Sequence, residues 1–176
     1  MISKTAKQMS SNYHIKKSWT LGEDGQQKYY QSCKAANLNV KKTTKEQDLN
    51  HVDFFVDGKS VDVKGLKDTH KEGKILIEIK NVQGKEGWCS KNGPEWIAFD
   101  FGAFFFHAKN SDLLKLVKSK CNLNEKVSKI SEALYKSYTR KNRQDVITIV
   151  SLTDVIKECE HWYLPSRNWS LPMELA

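Results

Sequence analysis

The chain has 176 residues, of which 39% are hydrophobic and 28% are charged. This length suits one domain with a hydrophobic core and is too short for two independently folding ones, and the composition is typical of a soluble globular protein. No apolar run approaches the ~18 residues that a membrane helix needs, and residues 1–17 lack the apolar segment of a secretory signal. We therefore expect an intracellular, cytoplasmic protein without membrane contact.

The net charge is strongly positive, +8 at neutral pH. Lysine and arginine gain affinity for nucleic acids by displacing counterions from phosphates, so the charge is consistent with a polyanionic partner. A second interpretation is that the charge only keeps the protein in solution.

Cysteine and histidine are scattered along the chain, without the spacing of a metal-binding motif. The four cysteines are Cys33, Cys89, Cys121 and Cys159, and the histidines include His51, His70, His107 and His161. Because the chain has no export signal, we expect free thiols rather than disulfides.

The first elements in chain order are a basic arm over residues 1–20 and a helix over residues 22–36 that ends near Asn37. Tyr29, Tyr30, Cys33 and Ala36 recur at helical spacing. The segment NVKKTT, which contains Val40, then predicts a short first strand.

Three segments that follow, HVDFFVDG, SVDVKGL and KILIEIKNV, predict a meander of three strands, with DGK as the first hairpin turn. A loop flanked by Trp88 and Trp96 comes next. We expect these tryptophans to anchor the loop in the core, although stacking on a base or sugar is an alternative. The apolar segment WIAFDFGAFFFHA predicts either one buried strand or a hairpin broken at Gly102.

The C-terminal third is predicted to be mainly helical. SDLLKLVKSK carries a Ser-Asp capping signal, and NEKVSKISEALYKSYTRKN predicts a second helix, with Arg140, Lys141 and Arg143 exposed near its end. DVITIVS predicts a strand, and LTDVIKECEHWY a helix capped by Ser151 or Thr153. We expect one domain over residues 21–164 and an irregular tail over residues 165–176.

The strand segments carry charged residues whose spacing indicates a cluster. Residues two apart in a strand share a face, so Asp62 and Lys64 point together, and the hairpin brings Asp53 near Asp62. In a meander, Glu78 on the third strand joins them. Neighbouring carboxylates repel one another and lose hydration when buried, which a divalent cation offsets. Mg²⁺ takes one or two carboxylates with water and phosphate oxygens, so the pattern indicates metal-assisted phosphodiester hydrolysis.

Asp53, eight intervening residues and then Asp62-Val63-Lys64 resemble the D-x(n)-(D/E)-x-K signature of the PD-(D/E)xK, or restriction-endonuclease-like, nucleases. The small resolvase-like or phage-encoded members are the most similar type. The order of elements is also similar, since in that superfamily a helix with an acidic residue precedes the meander, and Glu23 occupies that place. Val52 stands where the family often has proline. The resemblance covers about residues 20–110.

The resemblance implies an α/β fold with a restriction-endonuclease-like core, a mixed central β-sheet flanked by helices. It implies a DNA endonuclease that uses Mg²⁺, or Mn²⁺ in its place. Asp53, Asp62 and the carbonyl of Val63 would bind the metal, Lys64 would position the attacking water, and Glu23 and Glu78 would assist. An RNA substrate and a homodimer stay open, and a phage-encoded protein would act in the host cytoplasm.

Two alternatives remain at this point. Glu78-Ile79-Lys80 forms a second E-x-K, so Asp62, Glu78 and Lys80 are a second catalytic set, with Asp53 peripheral. We favour Asp53, Asp62 and Lys64 because that set leaves NVKKTT as the opening strand. The second alternative is a catalytically inactive nuclease fold that binds DNA or protein, for example in phage counter-defence or replication.

Overall fold

The computed structural model describes residues 22–44 and 51–166. The predicted N-terminal arm and residues 167–176 of the predicted tail lie outside this part of the chain. The four helices in the described residues are α1 (22–35), α2 (Asp68–Lys71), α3 (Asn110–Lys120) and α4 (Leu152–Glu158). The strands are β1 (Val40–Lys42), β2 (Phe54–Val56), β3 (Lys59–Lys64), β4 (Lys74–Lys80), β5 (Trp96–Asp100), β6 (Phe104–Lys109), β7 (Asn122–Val127), β8 (Lys136–Tyr138), β9 (Val146–Ser151) and β10 (His161–Pro165).

The strands form two mixed sheets. The six-stranded sheet has the order β1-β2-β3-β5-β6-β10 and is antiparallel except for the central pair β3 and β5, which is parallel. The four-stranded sheet has the order β4-β9-β8-β7, with β7 and β8 parallel. The mixed α/β prediction is therefore confirmed, although the strands are divided between two sheets.

Helix α1 covers one face of the six-stranded sheet. Tyr29 and Cys33 lie one turn apart on this helix, and both are fully buried against Phe54, Val61 and neighbouring apolar residues. The helix ends as predicted near Asn37, which has a left-handed φ of 57°.

The opposite face of the six-stranded sheet packs on a second apolar cluster, shared with α3, α4 and the four-stranded sheet. Strand β5 contributes to both clusters, since Trp96 and Ala98 face α1 whereas Ile97 and Phe99 face the second cluster. This two-sided burial explains why the segment reads as a continuous apolar run. The chain turns into β6 at Gly102, whose φ of +88° favours glycine, so the hairpin alternative is the observed one.

The prediction of a three-strand meander is wrong at its third strand. Strand β4 leaves the sheet after α2 and pairs with β9, while β5 takes the place beside β3. The local pattern of β4 is that of a strand, but it does not specify a partner. A parallel neighbour such as β5 has to come from farther along the chain, after a crossover.

The C-terminal third contains more strand than predicted. The expected helix over NEKVSKISEALYKSYTRKN is replaced by β7, a short 3₁₀ helix at Ile130–Glu132 and β8, because tertiary pairing with β9 overrides the weak helical pattern. Helix α3 has Lys109 as its N-cap without a side-chain cap, whereas Ser151 caps α4 by accepting the Asp154 amide at 3.2 Å.

Strand β10 was not predicted, and it includes Pro165 of the expected irregular tail. The four cysteines are free thiols, as predicted. Within residues 22–44 and 51–166, no helix is both long and apolar enough to cross a membrane.

Candidate active site

The two faces of β3 differ in chemistry. Val61 and Val63 point into the apolar cluster beneath α1, and the alternating residues Asp62 and Lys64 point to the other face. Asp62 is buried, with 4% of the residue exposed. The Lys64 ammonium lies 2.6 Å from Asp62 Oδ2 and is the ion-pair partner of this buried oxygen.

Asp53 lies just before β2, and its backbone amide donates to the Val61 carbonyl oxygen at 2.9 Å. One Asp53 carboxylate oxygen accepts the Val63 amide at 2.7 Å. The other oxygen accepts Gln26 Nε2, also at 2.7 Å. Because Val63 directly follows Asp62, these hydrogen bonds hold the Asp53 carboxylate between β3 and α1, beside the backbone of the Asp62–Val63 segment.

The N-terminal part of α1 is held close to this hairpin. Gly25 lies against Gly65, just after β3, and a Cβ added at Gly25 would be only 3.2 Å from the Gly65 Cα. This close approach brings the next residue, Gln26, within reach of Asp53. Glu23 lies in the same first turn but is exposed to solvent.

The Trp88 ring lies beside Lys64. The loop after β4 folds back on that strand, where Gly87 donates its amide to Ile79 and Cys89 donates to Glu78. A Cβ on Gly87 would be 2.4 Å from the Glu78 carbonyl oxygen, so this approach requires glycine. Trp88 is buried as predicted, and Lys64 Nζ lies 5.2 Å from its ring centre, a cation-π contact.

Glu78 belongs to the second sheet, contrary to the meander prediction. Its neighbour there is Arg140, whose Nη2 is 3.8 Å from Glu78 Oε2. Arg140 also contacts the fully buried carboxylate of Asp145 through Nε and donates its backbone amide to it at 3.0 Å. Arg140 is thus exposed, as predicted, but it follows β8 rather than a helix and is oriented by two carboxylates.

Lys67 connects the two groups of charges. Desolvation and the Lys64 ammonium lower the pKa of Lys67, with a further contribution from Arg140, while the carboxylates of Glu78 and Asp62 oppose this shift. Lys67, which is exposed at the surface, is therefore influenced by charges from both sheets, whereas the ion-pair neighbour of Glu78 is Arg140. Lys80, the alternative catalytic lysine, is exposed at the end of β4.

The acidic groups are few for a metal site. No set of three or more His, Cys, Asp or Glu side chains in the described part of the chain is arranged to hold a metal ion. Two carboxylates remain, and Mg²⁺ requires only one or two when water and substrate phosphate complete its shell. The two aspartates supply the carboxylate oxygens that Mg²⁺ prefers, but Asp62 Oδ2 is ion-paired with Lys64 and both Asp53 oxygens accept hydrogen bonds. In donor type the residues present fit a Mg²⁺ site of the two-carboxylate kind, and an ion there would share these oxygens with their protein partners.

Sequence reasoning missed the roles of Gln26, Lys67 and Arg140. A signal existed for Gln26, since it follows Gly25, a residue that allows close packing, one turn after the start of α1. No local signal existed for Arg140. Its position depends on the pairing of β8 with β9, and the sequence pattern predicts a helix where β8 lies. Comparison of the chain with protein-family models, with curated proteins and with solved structures gave no match.

Proposed function

We propose that this protein is a Mg²⁺-dependent endonuclease that hydrolyses DNA phosphodiester bonds with Asp53, Asp62 and Lys64, on a restriction-endonuclease-like core. The observation that carries the proposal is the buried Asp62 carboxylate, with an ammonium 2.6 Å away and with Asp53 hydrogen-bonded to the amide of the next residue, Val63. Burying such a pair stabilises a fold little or not at all, so a chemical role accounts better for its presence.

Each residue has a defined part in the proposed reaction. Asp53 and Asp62 would hold the metal, which when bound would lower the pKa of a water molecule and offset negative charge on the phosphate. The Val63 amide and Gln26 fix the Asp53 carboxylate in its orientation. Lys64 orients the attacking water and stabilises negative charge at the phosphate, while the Trp88 ring limits the positions open to its ammonium.

Cleavage of supercoiled plasmid tests the proposal. We expect nicking by the wild-type protein with Mg²⁺ or Mn²⁺ and none with EDTA, and we expect Asp62→Asn to lower the rate by at least ~100-fold. Asp68→Asn is the matched control, because Asp68 lies near the same segment with its side chain 94% exposed. Equal cleavage by the wild type and Asp62→Asn would refute the assignment.

The choice of lysine is tested by comparing Lys64→Ala with Lys80→Ala in single turnovers at saturating DNA. The position of Lys64 beside Asp62, and of Lys80 at an exposed strand end, predicts that only Lys64→Ala loses the chemical step. Loss of turnover in Lys80→Ala alone would instead favour Asp62, Glu78 and Lys80 as the catalytic set.

A catalytically inactive binding module is the second candidate. The observation in its favour is that the two aspartates already have protein partners, Lys64 for Asp62 and the Val63 amide and Gln26 for Asp53. Such a module would bind DNA or protein without cleaving DNA and without saturable metal binding that depends on Asp62.

A further inference from the structure

A lysine-rich groove runs along α3 on the far side of the loop that carries Trp88. Its floor contains the side chains of Ile79 and Leu114. Two adjoining recesses form it and share Ser90, Lys91, Leu114 and Lys118 in their walls. Five lysines line the groove, Lys80, Lys91, Lys109, Lys115 and Lys118, against the two acidic residues Glu86 and Glu95.

Three of these lysines are available to a ligand. Lys109 is paired with Glu160 at 2.6 Å and Lys115 with Asp112 at 2.8 Å. By contrast, Lys80, Lys91 and Lys118 are exposed and form no ion pair with another described residue. They come from the end of β4, from the loop and from the last turn of α3, so three separate segments direct positive charge at one groove.

The groove and the candidate site share a structural support. The Trp88 ring faces Lys64, whereas its carbonyl oxygen accepts Asn110 Nδ2 at 3.0 Å at the start of α3. Ser90 and Lys91, two and three residues after Trp88, line the groove. The loop that contains Trp88, Ser90 and Lys91 therefore lies between the groove and Lys64.

We propose that this groove binds the phosphodiester backbone of the nucleic acid on one side of the bond that is cut, with Lys80, Lys91 and Lys118 contacting phosphates. This inference rests on the proposed function, since it takes the ligand to be its substrate. Separate cations along a groove suit a chain of phosphates, because each contact releases a condensed counterion. The apolar floor is suited to contact with sugars.

Metal-free DNA binding measured across a salt series tests the groove independently of cleavage. The variant is Lys80→Ala/Lys91→Ala/Lys118→Ala, titrated against a short fluorescent duplex in EDTA. Loss of three phosphate contacts makes the slope of log Kobs against log salt concentration shallower by about 2.7. The matched control, Lys126→Ala/Lys129→Ala/Lys157→Ala, removes the same charge from exposed positions outside the groove and keeps a slope close to that of the wild type.

The outcomes separate this proposal from the proposed function. Equal losses of affinity and slope in the two triple variants overturn the groove, because net charge alone then explains binding. A wild-type protein that shows the groove-dependent slope but never cleaves DNA supports the groove and refutes the nuclease. Cleavage that depends on Asp62, together with unchanged DNA binding by the groove variant, supports the nuclease and refutes the groove. Competition by polyglutamate that exceeds competition by DNA of equal charge also overturns the proposal, since it assigns the groove to an acidic peptide.

Discussion

The two faces of β3 are both buried, but different interactions hold them. Val61 packs under α1 with 1% of its surface exposed, and its neighbour Asp62 is 4% exposed on the opposite face beside Lys64 and Trp88. Burial of Val61 stabilises the fold through the hydrophobic effect. Burial of Asp62 removes hydration from a charge, which the nearby ammonium only partly offsets.

This difference indicates which face carries function. An apolar residue at position 62 would extend the second core cluster, which lies on that side of the sheet. The chain has instead a carboxylate there, held beside a lysine. We therefore expect substitutions on the α1 face to change stability and substitutions on the charged face to change activity.

The largest effect is expected from Phe54→Ala on the α1 face. Phe54 is fully buried, with its ring centre 5.5 Å from that of Tyr29, so truncation leaves a cavity in this cluster. The free energy of unfolding is expected to fall by about 3–5 kcal/mol in urea denaturation. The cleavage rate per folded molecule should stay unchanged. If this rate fell in proportion to the unfolding free energy, the two faces would not differ in their roles.

Replacement of the charged pair by apolar residues is expected to act in the opposite way. In Asp62→Leu/Lys64→Met, the desolvated charges are exchanged for side chains that can pack beside Trp88. Unfolding free energy is expected to be unchanged or higher by about 1–4 kcal/mol, with cleavage lost. A strongly destabilised double variant would show that the pair is a structural element and would weaken the argument for catalysis.

The α1 face also contains a titratable group, His107, which is fully buried. Its Nε2 lies 2.8 Å from the Tyr29 hydroxyl, and its ring stacks on Trp162 with the ring centres 3.4 Å apart. Burial lowers the pKa of His107 from 6.5 to about 3. Protonation therefore favours the unfolded state, and stability that is complete above the unfolded pKa decreases as the pH falls toward 3.

The expected contribution of His107 is about 1.4 kcal/mol of unfolding free energy for each pH unit within that window. The variant His107→Phe/Tyr29→Phe removes both hydrogen-bonding partners and should be nearly as stable at neutral pH. In urea denaturation at a series of pH values, the unfolding free energy of this variant should fall less steeply toward low pH than that of the wild type. Parallel curves would mean that His107 is not buried in its neutral form.

The smallest effect is expected for an exposed ion pair. Lys71 Nζ lies 3.2 Å from Asp68 Oδ1, and the two side chains are 65% and 94% exposed. Lys71→Ala is expected to lower the unfolding free energy by under about 1 kcal/mol, and to change neither cleavage nor DNA affinity by a measurable factor. A larger loss would contradict burial as the property that distinguishes this ion pair from Asp62 and Lys64.

Local pattern predicted the elements that lie near one another in sequence. Helix α1 and the hairpin of β2 and β3 follow from periodicity and turn residues. The position of Glu78 could not be predicted in this way, because β4 pairs with β9 from a distant part of the chain. Arg140 was missed for the same reason, since long-range pairing rather than local propensity determines β8.

Calorimetric titration with Mn²⁺ tests the central claim most directly, because metal binding by Asp62 is required whatever the substrate. The account predicts one saturable site in the wild-type protein and in the control Asp68→Asn, and loss of that binding in Asp62→Asn. Equal binding by the wild type and Asp62→Asn, or no saturable binding by the wild type, would contradict a metal-dependent nuclease.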